Sequence, residues 1–251
     1  MNRFSWLALG AGVYVAFTLS LFPAATAYRW FAPDSLSLAG IQGTIWSGRA
    51  ELGSVGALPL HDLQWEVRAL PLLIGRLSTQ FQARLADGLV SAALAATAGR
   101  VRFSELRAST SLPALRGVLP VQGMEGLASV SLSKLQLERG WPTDMAGELR
   151  LAQLEVEPLA PTGQPGLIPL GDYEVVFTET GGQGLAASFR DTGGPLEVSG
   201  TLVVSVAREY TLDGLVKTRS DAPDALVQGL AIMTSEPDAS GRRRLTLTGT
   251  L

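Results

Sequence analysis

A single histidine and the absence of cysteine bound the chemistry open to this chain of 251 residues. Without cysteine there is no disulfide, no thiolate zinc site and no sulfur nucleophile. His61 opens the run His61-Asp62-Leu63-Gln64-Trp65-Glu66-Val67-Arg68-Ala69. A Ser-His-Asp triad or a histidine–carboxylate metal site could in form be centred on it. The alternation of that run instead predicts a strand with His61 at its exposed start. No Gly-x-x-x-x-Gly-Lys-Ser/Thr loop, Gly-x-Ser-x-Gly elbow or His-Glu-x-x-His pair occurs. Gly10 and Gly12 lie inside an apolar run and cannot form a dinucleotide loop. The carboxylates are scattered along polar strand positions, and no spacing pairs two of them for acid–base work. The run Arg242-Arg243-Arg244 follows Asp238 and reads as a solvated turn, not a phosphate patch. The expectation is a non-enzyme with no catalytic residue, no cofactor and no metal.

What remains is a chain built to present surfaces. Residues Phe4 to Tyr28 carry no charge, and only Arg3 is charged before them. The run Phe4 to Phe22 would span about 28 Å as a helix, close to the hydrocarbon thickness of a bilayer. Trp6, Tyr28 and Trp30 suit the interfacial belt. Ala25-Thr26-Ala27 also fits a signal-peptidase pattern, so a retained anchor and a cleaved leader are both open. Either places the bulk of the chain outside the cytoplasm. The division expected is a short cytoplasmic start at 1–3, an anchor with its interfacial flank at 4–28, and a periplasmic β-rich domain at 29–251. The net charge of −3 offers no basic surface for nucleic acid.

After the anchor the chain alternates with a period of two, broken by glycine and proline. Leu63, Trp65 and Val67 share one face, and Leu77 to Leu85 alternates again. Asp87-Gly88 is a hairpin signal, and Asp213-Gly214 reads as another turn. The phase slips by one residue near Ser133-Lys134 and again near 152, which predicts β-bulges. The Pro-rich stretch 157–170 reads as a crossing between two sub-sheets. A helix is expected near 222–233, capped by Ser220 or Asp221. Leu226, Val227, Leu230 and Met233 would form the face that packs on the sheet. The fold class is therefore mainly β: a curved antiparallel sheet with few short helices, preceded by one transmembrane helix.

Gly43-Thr44-Ile45-Trp46-Ser47-Gly48 is followed by Leu63-x-Trp65 and then by Pro71-Leu72-x-x-Gly75. Later come Gly193-Gly194-Pro195-Leu196-x-x-Ser199-Gly200 and the ending Arg244-Leu245-x-Leu247-x-Gly249-x-Leu251. Together these runs resemble the type II secretion system protein N family, also called general secretion pathway protein N. The resemblance implies a bitopic inner-membrane protein whose periplasmic domain is an accessory part of the machine that exports folded proteins. Its partners would be inner-membrane and periplasmic subunits of that machine and the lipid bilayer. It carries over no catalytic residue. The motif positions Gly43, Thr44, Trp46, Gly48, Leu63, Trp65, Pro71, Gly75, Gly194 and Gly200 are expected to serve structure. Trp46 would cover the open edge of the sheet core, with contact to a partner or lipid as the other reading. The Gly-Thr-x-Trp-x-Gly start also resembles AsmA-like proteins, longer chains implicated in lipid transport and outer-membrane biogenesis. That resemblance implies an alternative, lipid handling on an apolar sheet face.

Overall fold

Alternating apolar and polar residues extend through nearly the whole chain, and the computed structural model turns that pattern into one sheet. It describes residues 10, 14, 17–32, 36–68, 75–97, 99–116, 123–157, 166–234 and 236–250. A short helix α1 (Ala24–Phe31) leads into β1 (Leu36–Ala39), β2 (Gln42–Gly43), β3 (Ser47–Val55), β4 (Leu58–Arg68), β5 (Leu77–Leu85), β6 (Gly88–Thr97) and β7 (Arg100–Ser111). A 3-10 turn (Leu112–Leu115) precedes β8 (Met124–Glu138), β9 (Trp141–Val156), β10 (Ile168–Thr178), β11 (Gly184–Gly193), β12 (Leu196–Ser205) and β13 (Glu209–Thr218). Helix α2 (Asp224–Met233) and β14 (Arg243–Thr250) complete the order. All strands belong to one 14-stranded antiparallel sheet. From β3 to β14 each strand pairs with its successor, and β1 and β2 both pair with β3. Such a meander has two edges: β14 at one end, β1 with β2 at the other.

The turns are set by residues that accept positive φ. Arg139 (φ 50°) and Gly140 (φ 80°) form the two-residue β8–β9 turn, whose backbone twist suits paired strands. The β5–β6 turn falls one residue before the expected Asp87-Gly88 centre, on Ala86 and Asp87. Gly88 instead opens β6, where a β-carbon would collide with the carbonyl of Ser109. Asp213-Gly214 is likewise no turn but the interior of β13, with Gly214 facing Gly200 of β12.

Bulges appear where the phase slips. Register shifts lie between Leu132 and Lys134, leaving Ser133 unpaired, and between Glu125 and Leu127, opposite Gln153 with its φ of 52°. Others adjoin Asp62 in β4 and Glu105 in β7. Across β10, Cα atoms of β9 and β11 approach within 8 Å. A flat sheet would hold strands two apart at roughly 9.5 Å, so the sheet bends sharply there.

Two expectations are corrected. The 157–170 stretch joins neighbouring strands of one sheet, since Ile168 pairs with Val156 and the β9–β10 ladder continues to Phe177↔Gly147. Helix α2 has Pro223 at its N-cap and no side-chain capping bond. Of the face expected to pack on the sheet, Leu226 and Leu230 are half-buried and Val227 is 42% exposed. Among the described residues no helix is long and apolar enough to cross a membrane; most of the run 4–22 lies outside them.

The result is a sheet with little filled interior. Among the described residues the buried apolar side chains are only alanine, leucine and valine, with no aromatic among them. The accessible surface is 16086 Å², against roughly 10,600 Å² for a compact monomer of 26.4 kDa. One corner is covered: Leu112 of the 3-10 turn packs with Ala128 and Leu154, flanked by Leu115, Leu151 and Tyr173.

Candidate functional site: the amino-terminal junction and the sheet faces

The first motif builds a splice between the amino-terminal segment and the sheet. Pro23 bridges to Thr44, and the Ile45 N–H donates to the Phe22 carbonyl at 3.1 Å. The Trp46 indole Nε1–H donates to the Leu19 carbonyl at 2.8 Å. The Trp46 carbonyl in turn accepts from the Val67 N–H of β4 at 2.6 Å. Trp46 is half-buried and ties the amino-terminal helix to β4 rather than sealing a sheet core. Trp65 donates its indole N–H to the Thr44 carbonyl at 3.2 Å. The Thr44 hydroxyl oxygen accepts from the N–H groups of Trp46 and Ser47, both at 3.3 Å. Tyr28 joins α1 to β1, its hydroxyl donating to the Leu36 carbonyl and accepting from the Leu38 N–H, both at 3.0 Å.

The glycines of this motif stand where a side chain has no room. Gly43 has φ +93°, and a β-carbon there would lie 2.5 Å from the Ser47 carbonyl oxygen and 2.8 Å from the Gly48 Cα. Gly48 lies beneath the Trp65 ring, which pairs opposite it on β4. The same device recurs at the far end of the meander. Phe189 lies over Gly200 and Gly214, and Tyr210 over Gly249. An aromatic ring covering glycine on the next strand restores the contact that glycine lacks. Gly194 (φ +133°) meets the Leu170 carbonyl and the Gly171 Cα, leaving no space for a side chain.

The structure thus brings Gly43, Thr44, Trp46, Gly48 and Trp65 together at one junction, and Leu63 pairs with Ala50 two residues along β4. Gly194 and Gly200 flank and occupy β12, eight strands away in the meander. Gly75 forms an open turn with nothing near its missing side chain. Pro71 falls outside the described residues. His61 is exposed on β4. Of the arginine run, Arg242 bonds Glu197 and donates its N–H to Asp238, while Arg243 and Arg244 open β14. Among the described residues no three histidine or carboxylate groups gather as a metal site needs.

The two faces of the sheet differ in kind. Facing residues share a side, so a row can be followed through the register from strand to strand. One row runs Val67, Thr79, Leu94, Phe103, Leu135, Met145. A second on the same side runs Val130, Leu149, Val175, Phe189 and then Gly200, Gly214 and Leu245. No charge interrupts either row. Phe81, Phe103, Phe177 and Phe189 all stand on this face and are only half-buried.

The opposite face carries ion pairs. Glu174 is held between Arg190 at 2.5 Å and Arg150 at 3.4 Å. The Arg190 hydrogen bond, against a smaller burial cost and with Arg150 assisting, keeps Glu174 below the usual carboxylate range. Asp144 is 1% exposed. It accepts from Lys134 at 2.8 Å and from the Thr180 N–H at 2.9 Å, and Lys134 also pairs with Glu179. Burial works against its ionisation, but the bonds from Lys134 and Thr180 outweigh burial and its pKa is lowered. One pair stands on the apolar side instead: Asp191, in line with Phe189 and opposite Tyr173, pairs with Arg219 at 2.5 Å, and Arg219 donates to the carbonyls of Gly194 and Leu196. Asp87 accepts from Ser111 and Thr110, and those bonds hold its pKa at about 2. Burial pushes the Tyr173 phenol up to about 12. None of these groups faces a nucleophile or a substrate-sized enclosed cavity; they tie strands and turns together. Sequence reading missed the Lys134–Asp144–Thr180 cluster and Arg219. The alternation marks Lys134 and Asp144 only as polar positions, and nothing local pairs them with residues over thirty positions away.

A profile of the family described as "Type II secretion system (T2SS), protein N" matches residues 34–246. The chain is 24% identical to the Type II secretion system protein N of Aeromonas hydrophila over 94% of both chains. It is 25% identical to that of Vibrio cholerae over 87% of this chain and 86% of the relative. With the protein of the same name from Pectobacterium carotovorum it shares 24% identity over the full length of both. No solved structure matches at a comparable level.

Proposed function

This chain belongs to the type II secretion system protein N family, and from that premise we propose that it is an accessory inner-membrane component that scaffolds the machine through its periplasmic domain. Residues 1–3 would lie in the cytoplasm, 4–28 in and beside the bilayer, and 29–251 in the periplasm. The uncharged run Phe4 to Tyr28 supports that placement. So does the splice at Leu19, Phe22 and Trp46, which would hold the sheet against the end of the anchor.

The observation that carries scaffolding is the free edge of the meander. Among the described residues β14 pairs in the sheet with β13 alone, from Glu209↔Thr250 to Val216↔Arg243. Its outer side offers backbone donors and acceptors to an added strand, the cheapest way to gain affinity without special side chains. Arg243 and Arg244 at its start would discourage indiscriminate pairing.

The test is secretion in a strain lacking the gene, comparing exoprotein in the medium with exoprotein held in the periplasm. Retention restored by the full chain supports a secretion role; normal export refutes it. Thr246→Pro and Leu247→Pro, tested separately, probe the edge. Neighbouring strand residues direct their N–H groups to opposite sides, so one of the two loses only the outward donor. That variant should fold and lose co-purification with the other subunits. Unchanged co-purification of both would refute edge docking.

A further inference from the structure

We propose that the apolar face of the sheet takes up the acyl chains of membrane phospholipids. The inference is independent of the secretion role and rests on what the face presents, how far it runs and where it starts.

Along the two rows traced above the face presents hydrocarbon, and its charged exception is the Asp191–Arg219 pair opposite Tyr173. In the two rows traced above only Thr79 carries a polar atom, and its hydroxyl donates to the Glu66 carbonyl. The backbone groups beneath are spent in the plane of the ladder. A polypeptide laid across such a face would have to satisfy its own backbone unaided, whereas hydrocarbon has nothing to satisfy. The face is also not filled from within. Among the described residues four phenylalanines remain half-buried on it, and the buried apolar cluster is confined to the corner at Leu112. Leu77 and Leu247, near its two ends, are 38% and 49% exposed.

Extent separates this face from an ordinary sticky patch. From β4 to β14 the strip crosses the sheet at about 4.8 Å per strand, a path on the order of 48 Å. The opposite face, with its Arg150–Glu174–Arg190 and Lys134–Asp144 pairs, suits water.

The start of the strip favours lipid over a second protein. Its first strand, β4, is stapled to the amino-terminal segment: the Val67 N–H reaches the Trp46 carbonyl, and the Trp46 indole reaches Leu19. Leu19 belongs to the uncharged run Phe4 to Phe22, whose length matches a bilayer core. The apolar strip and the apolar segment therefore meet at one junction. A lipid leaving the bilayer beside the anchor would meet Trp65 and Val67 first, with no charged group between.

The experiment uses the full-length chain in growing cells whose phospholipids carry radioactive phosphate. A photo-crosslinking phenylalanine analogue replaces Phe103 or Phe177 on the apolar face, or Ser104 or Val176 on the other face. The first two exchanges are close in shape and should leave folding intact. After irradiation and denaturing purification, radioactive lipid should be attached to the protein at 103 and 177 and be absent at 104 and 176. Label on neither face, or equal label on both, overturns the proposal. Crosslinks at 103 and 177 to a second polypeptide instead of lipid also overturn it, and show that a protein covers the face. Export is measured in the same strains, so a failed secretion role with lipid labelling intact would leave this inference standing.

Discussion

Gly48 is a position where one added carbon should disturb both the backbone and an indole. In Gly48→Ala the new methyl would lie 2.6 Å from the Gln42 carbonyl oxygen and 2.9 Å from the Trp65 Cε2. The ring cannot simply swing away, because its Nε1–H is bonded to the Thr44 carbonyl. Forcing a methyl into a closed site costs about 1–3 kcal/mol, and losing the indole bond adds roughly 1 kcal/mol. The expected loss is thus about 2–4 kcal/mol. At about 2–4 °C per kcal/mol for a chain of this size, the melting temperature should fall by about 4–16 °C. The assay is thermal unfolding followed by tryptophan fluorescence, with a red-shifted native spectrum reporting a displaced indole. Trp65→Leu combined with Gly48→Ala should recover part of the penalty, since the backbone contact to Gln42 persists. Gly229→Ala is the contrast: nothing lies within 4 Å of its missing side chain in α2, so helix propensity gains about 0.5–1 kcal/mol there. An unchanged melting temperature in Gly48→Ala, or no relief from Trp65→Leu, would refute the argument that the motif glycine exists to seat the indole.

Asp144→Ala should destabilise the chain by about 1–3 kcal/mol, because it leaves the Thr180 N–H without its acceptor and Lys134 with Glu179 alone; calorimetry of the variant checks this. The depressed pKa of Asp144 stabilises the fold above the ordinary carboxylate pKa of about 4 and is lost as pH falls through the lower folded value. Acid melts of wild type should therefore steepen below about pH 4, and those of Asp144→Asn should steepen less, since Glu174 and Asp87 still titrate there. Trp46→Phe keeps the ring but removes the bond to Leu19, a loss of about 0.5–1.5 kcal/mol; limited proteolysis should cut faster between residues 32 and 42. Arg219→Ala frees the carbonyls of Gly194 and Leu196 and unpairs Asp191, so amide exchange should quicken at 191–198 and stay unchanged in β4–β6.

Much of the sheet could be read from one-dimensional order. A period of two marks strands because successive side chains point to opposite faces, and β4, β5 and β8 follow that signal residue by residue. The slips at Ser133 and Gln153 were legible for the same reason, since a bulge shifts the phase. The turn at Ala86–Asp87 was misplaced because Gly88 is needed for a close backbone approach, which leaves the same glycine in the sequence as a turn would. The helix 224–233 was legible by period, but its docking was not: an apolar stripe states that a face can be buried, not that anything comes to meet it.

The sequence alone determined the strands, the uncharged segment and the family resemblance, because each is written in neighbouring residues or in recurrent motifs. Only the tertiary structure decided that all fourteen strands share one sheet, that Trp46 reaches back to Leu19 and that the phenylalanines of one face remain half-open. These depend on which strand lies beside which and on whether a second layer closes over them. Local alternation is identical for a strand in a filled core and for one on an open face, so only the assembled sheet could tell the two apart.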